Sequence, residues 1–239
     1  MRQILLEIRR SIFSGRMLGC IVAGLALLYQ PEIYLNKLYT SFFKMDLSNA
    51  MQSSLGLGSY VLLATVLCVI PYSDRYCWEK RSRFFIYRWH RQAKRTYITS
   101  HILSTALSGG ISLSAPFALF CFIQLMVSRE TVSTPAIQAA LLECALFCAY
   151  GCAWSMLSLG VSSWVLNPLV VWAAPICIER GMQLIAVAFR ADYLRISDAI
   201  GYQCGSVFSL GQIAVVDMMI FLFGAVLFIG RVVRDDRQA

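Results

Sequence analysis

Three stretches of this sequence are too long and too apolar for a water-soluble fold to cover. Asp46 and Asp74 enclose a run without a single charged side chain, and Thr96 to Val127 contains no Asp, Glu, Lys or Arg. Between Glu130 and Glu179 the only charge is Glu143. A helix crosses a hydrocarbon core of about 30 Å with about 20 apolar residues, so each stretch is long enough to span a membrane. The last is long enough to span it twice. Composition agrees: 58% of the 239 residues are hydrophobic and 14% are charged, against about 25% charged in an average soluble domain.

The chain therefore reads as an all-α polytopic membrane protein, one transmembrane domain over residues 1–239 with six spans. These are 17–35, 51–71, 98–127, 137–160, 166–186 and 212–230. An amphipathic helix over 1–16 precedes them, a basic loop over 72–97 joins spans two and three, and a loop over 187–211 joins spans five and six. Pro31 and Glu32 weaken the outer end of span one. Gly109, Gly110 and Pro116 predict a kinked or broken third span, whereas Ser162, Ser163, Asn167 and Pro168 supply turn chemistry for a hairpin of spans four and five.

Lys and Arg set the orientation. With the N-terminus in the cytoplasm, fifteen basic residues flank the spans inside and five (Lys37, Lys44, Arg129, Arg190 and Arg195) outside. Both termini are then cytoplasmic, and the protein is expected in a cell membrane, of a bacterium. The same topology accounts for the formal charge of +8, which in a soluble protein would point to nucleic acid. No nucleic-acid partner is expected. Arg2, Arg9, Arg10 and Arg16 before an apolar run also match the order of a signal peptide, but no A-x-A-like site follows, so this is read as an uncleaved first helix.

Of nine cysteines, seven lie inside apolar segments, and Cys77 and Cys204 fall in loops on opposite sides, so no disulfide framework is expected. Cys144, Cys148 and Cys152 share one helix face, an arrangement open to a soft metal but better explained as small packing residues. There is no phosphate-binding G-x-x-x-x-G-K-[ST] loop, no H-E-x-x-H and no G-x-S-x-G. The chain is expected to be non-catalytic, without a cofactor or metal of its own.

The loop Tyr72 to His101 reads YSDRYCWEKRSRFFIYRWHRQAKRTYITSH. Its spacing suits short amphipathic helices on the membrane surface, with Trp78, Phe84, Phe85, Tyr87 and Trp89 toward lipid or protein and the basic residues toward headgroups. A positive-inside anchor explains the charge equally well. Asp74 and Glu79 offer carboxylates to a partner, and Arg83 and Arg91 offer guanidiniums. Alternatively, Glu79 pairs locally with Arg83 at i,i+4 for a few tenths of a kcal/mol.

The order of features resembles the membrane subunits of ABC exporters of the ABC-2 class. Those permeases open with a short basic amphipathic helix, here ILLEIRRSIFSGR. Between spans two and three they carry an acidic residue, a run toward an arginine, and a tyrosine followed by Ser-Lys opening span three. The counterparts here are Glu79, Arg91, Tyr97 and Ser100, with His101 replacing the lysine. The resemblance implies that the 72–97 loop couples to a separate cytosolic ABC ATPase, through Asp74, Glu79, Arg83, Arg91 and Tyr97. ATP and Mg would be bound only by that partner. It also implies assembly with a second permease copy or a related permease, and short re-entrant helices capping the pathway between spans five and six.

Ionisable residues inside spans cost about 2.5–3.5 kcal/mol each at a helix centre on insertion scales. Glu143, Glu179, Arg180 and Asp217 are the set, expected in one outer-leaflet layer. They read either as a gate on the transport path or as a structural cluster neutralised by Arg180. The functions to weigh are a permease subunit of an ATP-driven exporter and a secondary transporter or channel using Glu143 and Asp217 as ion or proton carriers. A membrane-embedded enzyme lacks a nucleophile or metal set.

Overall fold

The computed structural model describes residues 2–34, 50–51, 54–55, 59–82, 93–127, 134–189 and 209–236. Among them every regular element is helical: α1 (Arg2–Ile12), α2 (Gly15–Tyr34), α3 (Ser59–Val69), α4 (Arg75–Arg81), α5 (Lys94–Val127), α6 (Thr134–Trp164), α7 (Pro168–Phe189) and α8 (Leu210–Asp236). By length and composition α5 to α8 can each cross a membrane, and α1 with α2, bent by 44° at their junction, makes a fifth if the pair is one span. The described residues are thus all-helical, with several helices long and apolar enough to cross a membrane. α3 has 11 residues, about 16 Å of helix, and the remainder of the expected second span is only partly within the described residues.

The observed helix ends have local causes. The junction expected after residue 16 falls at Phe13–Ser14, because the Ser14 hydroxyl accepts the Met17 amide at 3.2 Å and caps α2. The α6–α7 turn is Val165–Asn167. There the Asn167 side chain accepts the Leu169 amide at 3.1 Å, and Pro168 occupies the first helical position, where its missing N–H has no consequence.

The break expected in the third span is absent: α5 runs unbroken through Gly109, Gly110 and Pro116 for 34 residues. Proline frees backbone acceptors in the turn before it, and the Tyr60 hydroxyl donates to the Leu113 carbonyl there at 2.6 Å. The two glycines serve contact instead. A Cβ on Gly109 would lie 2.5 Å from the Gly151 carbonyl oxygen, and one on Gly110 would lie 2.8 Å from the Cys152 sulfur. The α5 and α6 backbones meet there, as small residues permit in membranes. Gly160 and Gly224 repeat the device between α6 and α8.

α6 is the axis of the bundle, packing on α5, α8, α3, α7 and α4. In its apolar window 61% of residues are buried, against 22% in α7 and α8, which are peripheral. One end of the bundle gathers α1, α4, the start of α5, the α6–α7 turn and the end of α8, with Tyr76, Tyr97, Phe228 and Val232 in one apolar cluster. We call this the basic end.

The Gly109–Gly151 contact makes a prediction. Gly151→Ala should destabilise the bundle by about 1–3 kcal/mol through overpacking and lower its unfolding midpoint in detergent. Gly181→Ala, at a site with nothing within 4 Å, should leave the midpoint unchanged or raise it slightly; equal midpoints for both variants would refute the contact.

Candidate functional site

At the basic end the chain leaves α3 through a turn at Ile70–Asp74 and enters α4. Asp74 stands at the N-cap position, yet its side chain does not cap the helix. Its carboxylate accepts Arg16 Nη1 at 2.8 and 2.9 Å and the Trp78 indole N–H at 3.0 Å, tying α4 to the α1–α2 junction. Nearby, the Tyr72 hydroxyl donates to Glu7 of α1 at 2.7 Å. Burial, followed by the Glu7 charge, pushes the Tyr72 phenol pKa up, so it remains a donor.

Glu79 is the centre of the platform. Its Oε1 accepts Arg75 Nε at 3.1 Å, and its Oε2 accepts the Tyr97 hydroxyl at 3.0 Å and His101 Nε2 at 3.2 Å. Only 4% of the residue is exposed. Tyr97 and His101 lie one helical turn apart on α5, so both reach the same carboxylate. An ionised carboxylate accepts only, which assigns the Nε2 hydrogen to His101. Tyr76 packs edge-on against Phe228 of α8, with ring centroids 5.2 Å apart. The Cys77 thiol points into the α6–α7 turn, 3.0 Å from the Val165 carbonyl oxygen and 3.5 Å from that of Ser162. Burial pushes this thiol up to about 11.

Seven residues of α4 therefore hold the α1–α2 junction, α5, the α6–α7 turn and α8. Asp74, Glu79 and Tyr97 come together as one platform, but both carboxylates, expected to face a partner, turn inward. The reason is that the guanidiniums of Arg16 and Arg75 and the buried donors of Tyr97 and His101 converge on them and satisfy them more completely than an exposed surface pair would. The outer face is left to Trp78, 49% exposed, and Arg81. Arg83, Arg91 and the aromatic residues from Phe84 to Trp89 lie outside the described residues, and so does the local Glu79–Arg83 pair; the i,i+4 pair observed is Arg75–Glu79. Most of the expected 187–211 loop also falls outside them.

Within the bundle, Glu179 accepts the Thr65 hydroxyl, whose oxygen is 3.1 Å from that of Tyr150. α7, α3 and α6 are thereby linked through polar groups buried to 1% exposure or less. Glu143 lies seven residues before Tyr150 on α6, about 10 Å along the axis toward the far end of the bundle from the platform. Arg180 Nη1 donates to Gln183 at 2.6 Å. Asp217 is 5% exposed, and neither carboxyl oxygen has a hydrogen-bond partner among the described residues. The Cys144, Cys148 and Cys152 side chains pack toward α5, with Cys152 Sγ 3.2 Å from the Ala106 carbonyl oxygen.

Compared with protein-family models, curated proteins and solved structures, the chain has no match. The geometry must carry the functional reading. Arg16, Tyr72 and Glu7 are platform residues that motif reasoning did not single out, and His101 entered it only as the residue replacing the lysine.

Two outcomes follow. Glu79→Ala leaves the Tyr97 and His101 donors buried without their acceptor and should cost about 1–3 kcal/mol, read as a lower unfolding midpoint, while Glu79→Gln should recover most of it. For Cys77, a thiol pKa of about 11 against the ordinary 9.0 predicts roughly hundredfold slower alkylation at pH 8, rising with pH through that range. Site-resolved mass spectrometry of the alkylated chain measures this, and an ordinary rate would mean that α4 is not docked.

Proposed function

We propose that the chain is the membrane-spanning, non-catalytic permease subunit of an ATP-driven exporter of the ABC-2 class. Six spans cross the cell membrane of a bacterium with both termini and the basic end in the cytoplasm. A separate cytosolic ABC ATPase binds ATP and Mg, and a second permease copy or a related permease completes the transport path. The observation that carries this reading is the seating of α4. Its outer face carries the exposed Trp78 and Arg81, while its inner face grips the α1–α2 junction, α5, the α6–α7 turn and α8, so a push on α4 would move several membrane helices together. Large apolar side chains exposed along α7 and α8, including Leu184, Val187, Val215, Phe223 and Val226, suit lipid or a second subunit.

Asp217 favours one alternative, a secondary transporter in which this buried carboxyl carries a proton or ion. The two readings separate on purification in mild detergent. The exporter yields a Walker-motif ATPase in fixed stoichiometry with the chain. In that complex ATP should change the alkylation rate of Cys77, and Glu79→Ala should abolish the change without dissociating the ATPase. Gradient-driven flux by the chain alone in vesicles, with no ATPase recovered, would sink the proposal.

A further inference from the structure

A cavity of about 340 Å³ opens at the basic end between the α1–α2 junction and the start of α4. Its size falls at the lower end of the roughly 300–1,000 Å³ range of ligand pockets. Gly15, the first residue of α2, and Pro71, in the turn after α3, both line it, so it sits where two apolar helices end. That is the level of a membrane surface. Phe13, which precedes Ser14 of the lining, is 82% exposed.

Three arginines line it: Arg10, Arg16 and Arg75. Each is paired with a carboxylate, in the pairs Arg10–Glu7 at 3.7 Å, Arg16–Asp74 at 2.8 Å and Arg75–Glu79 at 3.1 Å. The pairs are asymmetric in depth. The arginine side chains are 67%, 48% and 41% exposed, and the carboxylates 8%, 2% and 4%. The negative charges therefore lie beneath, fixing the guanidiniums, while the face toward solvent is positive. Arg16 hydrogen-bonds Asp74 through Nη1 alone and Arg75 bonds Glu79 through Nε alone, so most of the five N–H donors of each guanidinium stay available among the described residues. Planar guanidiniums match phosphate oxygens in pairs. Trp78 also lines the cavity, half exposed, as aromatic rings do at the headgroup level.

From this arrangement we propose that the cavity binds the phosphate group of an anionic phospholipid headgroup. The proposal rests on the membrane placement and not on the exporter reading, because the chain alone suffices to test it. The full chain in nonionic detergent is titrated with short-chain phosphatidylglycerol, phosphatidylcholine or inorganic phosphate while tryptophan fluorescence is followed. Phosphatidylglycerol should give a saturable change that Trp78→Phe removes, and phosphatidylcholine should give none.

Arg10→Gln with Arg75→Gln should weaken the phosphatidylglycerol response about tenfold or more, whereas Arg10→Lys with Arg75→Lys, which keeps the charge but not the planar fork, should weaken it less. Arg9→Gln with Arg81→Gln, basic positions outside the cavity lining, should titrate like the native chain. If the double Gln variant does not fold, Arg10→Gln alone serves, because Glu7 keeps its bond from Tyr72. An equal response to phosphatidylcholine, or a folded Gln variant that titrates normally, overturns the site. Saturation by inorganic phosphate at lower concentration than phosphatidylglycerol overturns the lipid source in favour of a soluble phosphate compound.

Discussion

The backbone contact between α5 and α6 is what the remaining architecture is built on. Lipid tails are as apolar as leucine, so burying apolar surface between helices gains little inside a membrane, and close packing must supply the cohesion. Gly109 and Gly151 permit that approach, and short polar side chains exploit it. Ser155 donates to the Thr105 carbonyl at 3.1 Å, Cys152 to Ala106 at 3.2 Å, and Cys144 reaches Ser114 at 3.7 Å. As residue numbers fall on α6 they rise on α5, an antiparallel register in which every contact depends on the same narrow gap. The Gly160–Gly224 contact extends the principle to α8 and makes α6 the helix against which the others are positioned.

The platform at the basic end follows a different rule. Apolar packing holds Tyr76 against Phe228, but orientation comes from buried carboxylates. An unpaired buried charge is expensive, so Asp74 and Glu79 are stable only while their donors surround them. Those donors come from α2, α4 and α5. Withdrawing α4 from its seat would expose two carboxylates and strand the His101 and Tyr97 donors at once. The segment therefore has good reason to move with the helices it grips, which is the property a force-transmitting element needs.

The membrane character and the positions of the long helices were legible because a hydrophobic span imposes composition residue by residue. Thr96–Val127 reads as one apolar run and folds as one helix. The fate of Gly109, Gly110 and Pro116 was not legible: a glycine pair signals a break or a close contact equally well, and only the opposing Gly151 decides between them. The same holds for Asp74 and Glu79. Local spacing suggests an i,i+4 partner for Glu79, but two of its donors, Tyr97 and His101, arrive from 18 and 22 residues away, and Arg16 reaches Asp74 across 58. The surroundings of Glu179 were not legible for a related reason, since Thr65 and Tyr150 are ordinary span residues until the fold brings them to it.

These long-range pairs place the mechanical argument on α3. Near its middle Thr65 donates to Glu179 of α7, and nine residues later Asp74 receives Arg16. α4 is thus tied into the bundle by two routes, through α5 from Glu79 and through α3 to α7. α8 is held differently. Gly224 and Phe228 fix its lower half to α6 and α4, but Asp217, eleven residues and about 16 Å before Phe228, meets no hydrogen-bond partner among the described residues. A buried polar group without a partner costs about 1–3 kcal/mol, so any shift of α8 that brings Asp217 to a donor or to water recovers that amount. On the exporter reading, such a shift would act at the exposed apolar face that α8 offers to a second subunit.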